Sequence, residues 1–199
     1  MFETDGKPRA LPRYRCGFSK TSCNRWRAAC TVDSDGQPLH SWRTLILPYL
    51  DQQQLYESID LSKPWNDPVN TEARSARISR YSCPSADGPA GHTTYMAMVG
   101  PRCAFRAAPQ QLREITDGPS NTVLVIDASP AQSVHWMEPA DSATAFFLKF
   151  GEKSDLSHSG GIQSVLADGT VRFLPATLPG KTRQAMSTIA GGENISEDD

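Results

Sequence analysis

Asp168-Gly169 stands between two apolar-rich runs, 162–167 and 170–174, and constrains the chain more than any other feature. Asp-Gly in this setting favours a two-residue type I′ hairpin turn, because both central residues of that turn take positive φ. The pattern predicts an antiparallel hairpin. With a two-residue turn, Leu166 faces Val171 and Ser164 faces Phe173. Ile162, Leu166, Val171 and Phe173 then share one core-facing side.

The rest of the second half is also β in character. The segment 122–127 (TVLVID) is β-branched and mostly apolar, which predicts a buried strand. Further strands are expected at 95–99 and 134–136. Asp117-Gly118-Pro119-Ser120-Asn121 is a dense turn signal leading into the buried strand. A helix is expected near 43–59, with Leu45, Tyr49, Tyr56 and Ile59 on one face; Pro48 either opens or kinks it. The segment 61–69 carries two prolines and reads as a loop, plugged onto the domain by Trp65, and Asn70 caps a short helix to about 78. A last helix is expected near 180–190, with Pro179 in its first turn and Gly191-Gly192 ending it. Together these predict an α+β fold around an antiparallel β-sheet.

The 199 residues are 38% hydrophobic and 21% charged, with 14 Gly and 15 Pro, enough for one core with many turns. A net charge of -2 provides no long-range attraction for nucleic acid. Residues 1–30 hold seven Lys/Arg against Glu3 and Asp5 and read as an irregular basic arm. Residues 31–193 read as the folded domain and 194–199 as an acidic, mobile tail. The basic arm has no apolar helical stripe, so membrane insertion by this chain is not expected. No run approaches about 18 apolar residues, and no secretory signal is visible. Cys16, Cys23 and Cys30 are spaced too widely for the usual opening of a structural zinc site. Cys83 and Cys103 flank a strand-like stretch and could pair in an oxidising compartment.

No nucleophile elbow, P-loop, dinucleotide fingerprint or H-E-x-x-H is present. His135 and Glu138 offer two metal ligands only on a helix or turn, because residues three apart on a strand point to opposite faces. Asp117, Asn121 and nearby carbonyls supply some of the oxygens calcium needs, without a regular Asp ladder. The expectation is therefore no catalytic residue, no metal and no cofactor. His158 and Asp168 resemble a dyad only in spacing. The strand between them spans roughly 20 Å at about 3.3 Å per residue. Asp168 and Gly169 are expected to make the turn. His158 is expected to fix the strand's entry, behind Gly160-Gly161.

Six segments, read in order, resemble one family. They are His40-Ser41-Trp42-Arg43-Thr44-Leu45-Ile46-Leu47-Pro48-Tyr49-Leu50-Asp51-Gln52-Gln53; Pro64-Trp65-Asn66-Asp67-Pro68 with Asn70; Tyr81-Ser82-Cys83-Pro84-Ser85; Asp117-Gly118-Pro119-Ser120-Asn121-Thr122; Val134-His135-Trp136-Met137-Glu138-Pro139; and His158 followed, after nine residues, by Asp168-Gly169. This combination resembles the bacterial prepilin-like H-x9-DG family, also called domain-of-unknown-function family 1559. The resemblance covers roughly 31–193 and is not seen in 1–30, nor is the family's N-terminal cleavage and methylation helix. It implies a pilin- or pseudopilin-like head, extracytoplasmic, with a structural or surface-assembly task. Expected partners are other pilin-like subunits or cell-surface components. Its marker residues here would be His158, Gly160, Gly161, Asp168, Gly169, Asp117, Gly118 and Asn121. Two other functions compete. One is an extracytoplasmic ligand-binding module with Trp65, His135 and Trp136 around a groove. The other is a metal-dependent hydrolase built from His135, Glu138 and His158.

Overall fold

A computed structural model describes residues 25–26, 29–106, 110–141 and 143–192. The acidic tail 194–199 and most of the basic arm lie outside them. In chain order the strands are β1 (Arg25–Trp26), β2 (Cys30–Val32), β3 (Pro38–Ser41), β4 (His92–Thr93), β5 (Tyr95–Ala97), β6 (Gln110–Gln111), β7 (Val123–Asp127), β8 (Val134–His135), β9 (Gly161–Leu166) and β10 (Val171–Pro175). The helices are α1 (Trp42–Leu45), α2 (Gln53–Glu57), α3 (Thr71–Arg74), α4 (Ala143–Lys149) and α5 (Gly180–Ser187). The fold is α+β. Among the described residues, no helix is long and apolar enough to cross a membrane.

The central sheet has the order β10-β9-β7-β5, with every pair antiparallel. All five residues of β7 are buried, and β9 is buried at every position but Gln163. Both faces of the sheet are therefore covered. On one face Ile162, Leu166 and Leu174 pack with Phe147 and Phe150 from and beside α4, and with Met186 of α5. On the other, Val125 and Val165 pack with Trp42, Cys83 and Phe105. A third cluster joins Leu47, Leu50, Ile59, Ala73, Tyr81 and Trp136.

The expected hairpin forms with a different turn. Val171 pairs with Val165, Phe173 with Gln163 and Leu174 with Ile162, one residue out of the expected register. The loop holds three residues, Ala167, Asp168 and Gly169. The Gly169 N–H donates to the Leu166 carbonyl at 2.9 Å, and Gly169 sits at φ +85. That is a type I turn followed by a left-handed glycine, the usual three-residue hairpin. A one-residue slip exchanges the faces of a strand. Leu174 is thus buried beside Ile162, while Phe173, expected in the core, is 42% exposed.

The helix expected near 43–59 is divided into α1, a 3-10 turn at Leu47–Leu50, and α2. Two causes are local. Pro48 has no N–H to donate, and Asp51 takes φ 59, a left-handed conformation that ends a helix. The buried face changes accordingly: Leu47 and Leu50 are buried, while Tyr49 is exposed. Asn70 stands at the N-cap position of α3 as expected, but its side chain makes no capping hydrogen bond. Its amide instead donates to the Asp60 and Pro64 carbonyls, and its carbonyl accepts from the Asp60 N–H. The C-terminal helix forms at Gly180–Ser187 as expected, whereas α4 has no counterpart in the sequence reading. Within the stretch read as irregular, Arg25–Trp26 pairs with Gln110–Gln111, and Cys30 opens β2.

Candidate functional site at Cys83, Asp127 and His158

Side chains of the six segments hold the frame together. Ser41 caps α1 by accepting from the Arg43 N–H at 3.2 Å, and its hydroxyl donates to the Trp136 carbonyl at 2.7 Å. Arg43, fully buried, donates to the Tyr95 and Glu138 carbonyls and to the Asp141 carboxylate. The Tyr81 hydroxyl donates to the Arg43 carbonyl. His135 lies 3.1 Å from the Arg74 carbonyl, and the Trp136 indole donates to the Ala76 carbonyl at 3.2 Å. Trp65 stacks on His135 at 5.2 Å. Trp136 is only 1% exposed, so its ring is closed to a ligand.

The two Asp-Gly turns abut. Asp117 accepts from the Gly191 and Gly192 amides at 2.6 and 3.0 Å, tying its turn to the segment that follows α5. Gly118 takes φ +93, and the Asn121 amide donates to the Asp117 carbonyl at 3.3 Å. The Asp168 N–H then donates to the Pro119 carbonyl at 3.2 Å. The Asp168 carboxylate accepts from the Thr170 N–H and hydroxyl at 2.8 and 2.7 Å. Burial alone would raise its pKa, but these bonds hold it below the usual carboxylate value.

His158 does not meet Asp168. Gly160, at φ +77, lets the segment from His158 to Gly161 turn back on itself, with the Gly161 N–H donating to the His158 carbonyl at 3.4 Å. The His158 ring is thereby placed at the far end of β7, where Nε2 lies 2.9 Å from Asp127 Oδ2 and 3.6 Å from Cys83 Sγ. Asp127 points there because of a bulge. Val123 pairs with Leu166 and Val125 with Val165, so the strand slips one residue against β9. From Val125 onward, alternate residues face the cluster holding Cys83 and Trp42. Asp127 is two residues on, and its side chain is 1% exposed.

One ligand atom from each of Cys83, Asp127 and His158 lies within 4.8 Å of the others. This arrangement does not suit nucleophilic catalysis. In a Cys-His-Asp relay the two imidazole nitrogens serve different partners, whereas here Nε2 faces both. Burial, with the Asp127 carboxylate beside it, pushes the Cys83 thiol up to about 12, so it remains protonated at neutral pH.

Cys83 and Cys103 are not joined. Both thiols are free, Cys83 beside His158 and Cys103 3.7 Å from the Thr144 hydroxyl. His135, Glu138 and His158, the triad of the hydrolase reading, do not form a ligand group among the described residues. The sequence reading missed the cluster, although Asp127 carries a signal. A carboxylate ending an otherwise apolar buried strand needs a partner.

No curated protein and no solved structure matches the chain. A family model described as "Protein of unknown function (DUF1559)" matches residues 9–108. The match begins inside the basic stretch and takes in the Ser41-Trp42-Arg43, Trp65 and Cys83-Pro84 segments. The chain belongs to the DUF1559 family of proteins of unknown function.

Proposed function

We propose that this chain is a pilin- or pseudopilin-like head, acting outside the cytoplasm as a structural part of a surface assembly rather than as an enzyme. One observation supports this reading above the others: polar side chains of the six segments are committed to backbone groups, either of another segment or of the fold around them. Ser41 reaches Trp136, Arg43 reaches Tyr95 and Glu138, and Trp136 reaches Ala76. Side chains so engaged brace loops against one another rather than facing a substrate. The order of the six segments, resembling the prepilin-like family, supports the same reading.

The test is made in the native host, with an epitope tag at the C-terminus. Fractionation followed by cross-linking in intact cells is expected to find the chain in the envelope or sheared-surface fraction, linked to pilin-like subunits. A cytoplasmic monomer that gives no cross-links would contradict the proposal.

A further inference from the structure

Cys83, Asp127 and His158 come from three separate places: the turn after Tyr81, the end of β7, and the entry to β9. Their ligand atoms nevertheless converge. Ordinary hydrogen bonding leaves one atom of this cluster without a partner. Nε2 carries either one proton or one lone pair, so it serves one partner at a time, and the Cys83 thiol is left to hydrogen-bond to Asp127. Asp127 Oδ1 is buried and has no hydrogen-bond partner, a condition that buried carboxylate oxygens rarely tolerate.

A metal ion with a bound water would complete the cluster: the ion takes one atom from each of the three side chains, and the water can donate to the remaining Asp127 oxygen. Tetrahedral zinc binds sulfur at about 2.3 Å, imidazole nitrogen at about 2.0 Å and carboxylate oxygen at about 2.0–2.2 Å. Such a shell separates sulfur from nitrogen by roughly 3.5 Å and nitrogen from oxygen by roughly 3.3 Å. The separations here are 3.6 and 2.9 Å, so a small movement of the ring admits the ion. His158 is the most exposed of the three, and it lines a pocket of about 490 Å³.

We propose that Cys83, Asp127 and His158 bind one divalent cation of the zinc class, with water in the fourth position. The mixed sulfur, nitrogen and oxygen donors select zinc or cobalt over calcium or magnesium. The ion would staple the Cys83 turn and the His158 turn to the central strand.

The experiment uses the full chain, stripped with chelator and titrated with Co²⁺ and then Zn²⁺. One cobalt per chain is expected, with a sulfur-to-cobalt charge-transfer band that zinc abolishes and a melting temperature that rises with occupancy. Cys83→Ser should lose the band, a Cys16→Ser/Cys23→Ser double variant should keep it, and His158→Gln should weaken binding tenfold or more. X-ray absorption of the wild-type cobalt protein needs no variant and should count a single sulfur. Absence of the band in the wild type, its persistence in Cys83→Ser, or a count of two or more sulfurs would overturn the proposal.

Discussion

Arg43 NH2 and Asp141 Oδ1 lie 2.6 Å apart, with side-chain exposures of 0% and 4%. Asp141 Oδ1 also accepts from the Ala97 N–H at 2.7 Å, so one carboxylate joins α1 to β5. Burial pushes the Asp141 carboxyl above its ordinary value, and Arg43 pulls it back. Removing one partner of a buried pair strands the other charge and costs about 3–5 kcal/mol. Arg43→Met should therefore lose stability of that order at pH 7, read from urea unfolding. Without Arg43, the folded state holds a proton on Asp141 more tightly than the unfolded chain does. Stability then falls as pH rises through the raised folded value, so the deficit should be smaller at pH 5 than at pH 7. An equal deficit at both would contradict this.

Glycine matters at the turns because of sign, not size. Gly169 has φ +85 and Gly160 φ +77, a region that branched side chains avoid. Gly169→Val should cost about 1–3 kcal/mol. Gly161→Ala should also destabilise, for another reason: its Cβ would fall on the Leu174 carbonyl oxygen of β10. Gly180→Ala, which meets nothing within 4 Å and needs no positive φ, should be neutral or slightly stabilising. Comparing urea midpoints across the four proteins checks all three statements.

The existence of the hairpin, the buried strand before it and the C-terminal helix were legible, because Asp-Gly, β-branched runs and Pro179 act locally. The separation of His158 from Asp168 was legible too, since it follows from strand rise. Register was not. Whether Asp168 begins a two-residue turn or sits inside a three-residue one depends on Ala167, whose conformation no local signal dictates. The broken helix after Ser41 had its clue in Pro48, but the left-handed Asp51 had none. The Cys83-Asp127-His158 cluster joins residues 31 and 75 positions apart. Nothing in a single sequence pairs them; the sheet and its bulge do.

His40 and His135 should make the protein acid-sensitive. Burial lowers both pKa values below the ordinary 6.5, the dominant cause in each. A depressed folded value means the unfolded chain takes up protons first, so stability is full above about 6.5 and declines as pH falls toward the folded values. Thermal melting between pH 7.5 and 5 should show this decline. A His40→Gln/His135→Gln variant should show less of it. An unchanged slope would assign the acid sensitivity to other groups.

The H-x9-DG residues are parts of a frame, with His158 bound to the central strand and Asp168 serving its own turn. The direct measurement is a pair of double-mutant cycles on metal-free protein, His158→Gln with Asp127→Asn and His158→Gln with Asp168→Asn, by urea unfolding. A coupling of about 1–3 kcal/mol is expected for His158 with Asp127. His158 and Asp168 should be additive within about 0.5 kcal/mol. Strong coupling to Asp168 with none to Asp127 would contradict this frame.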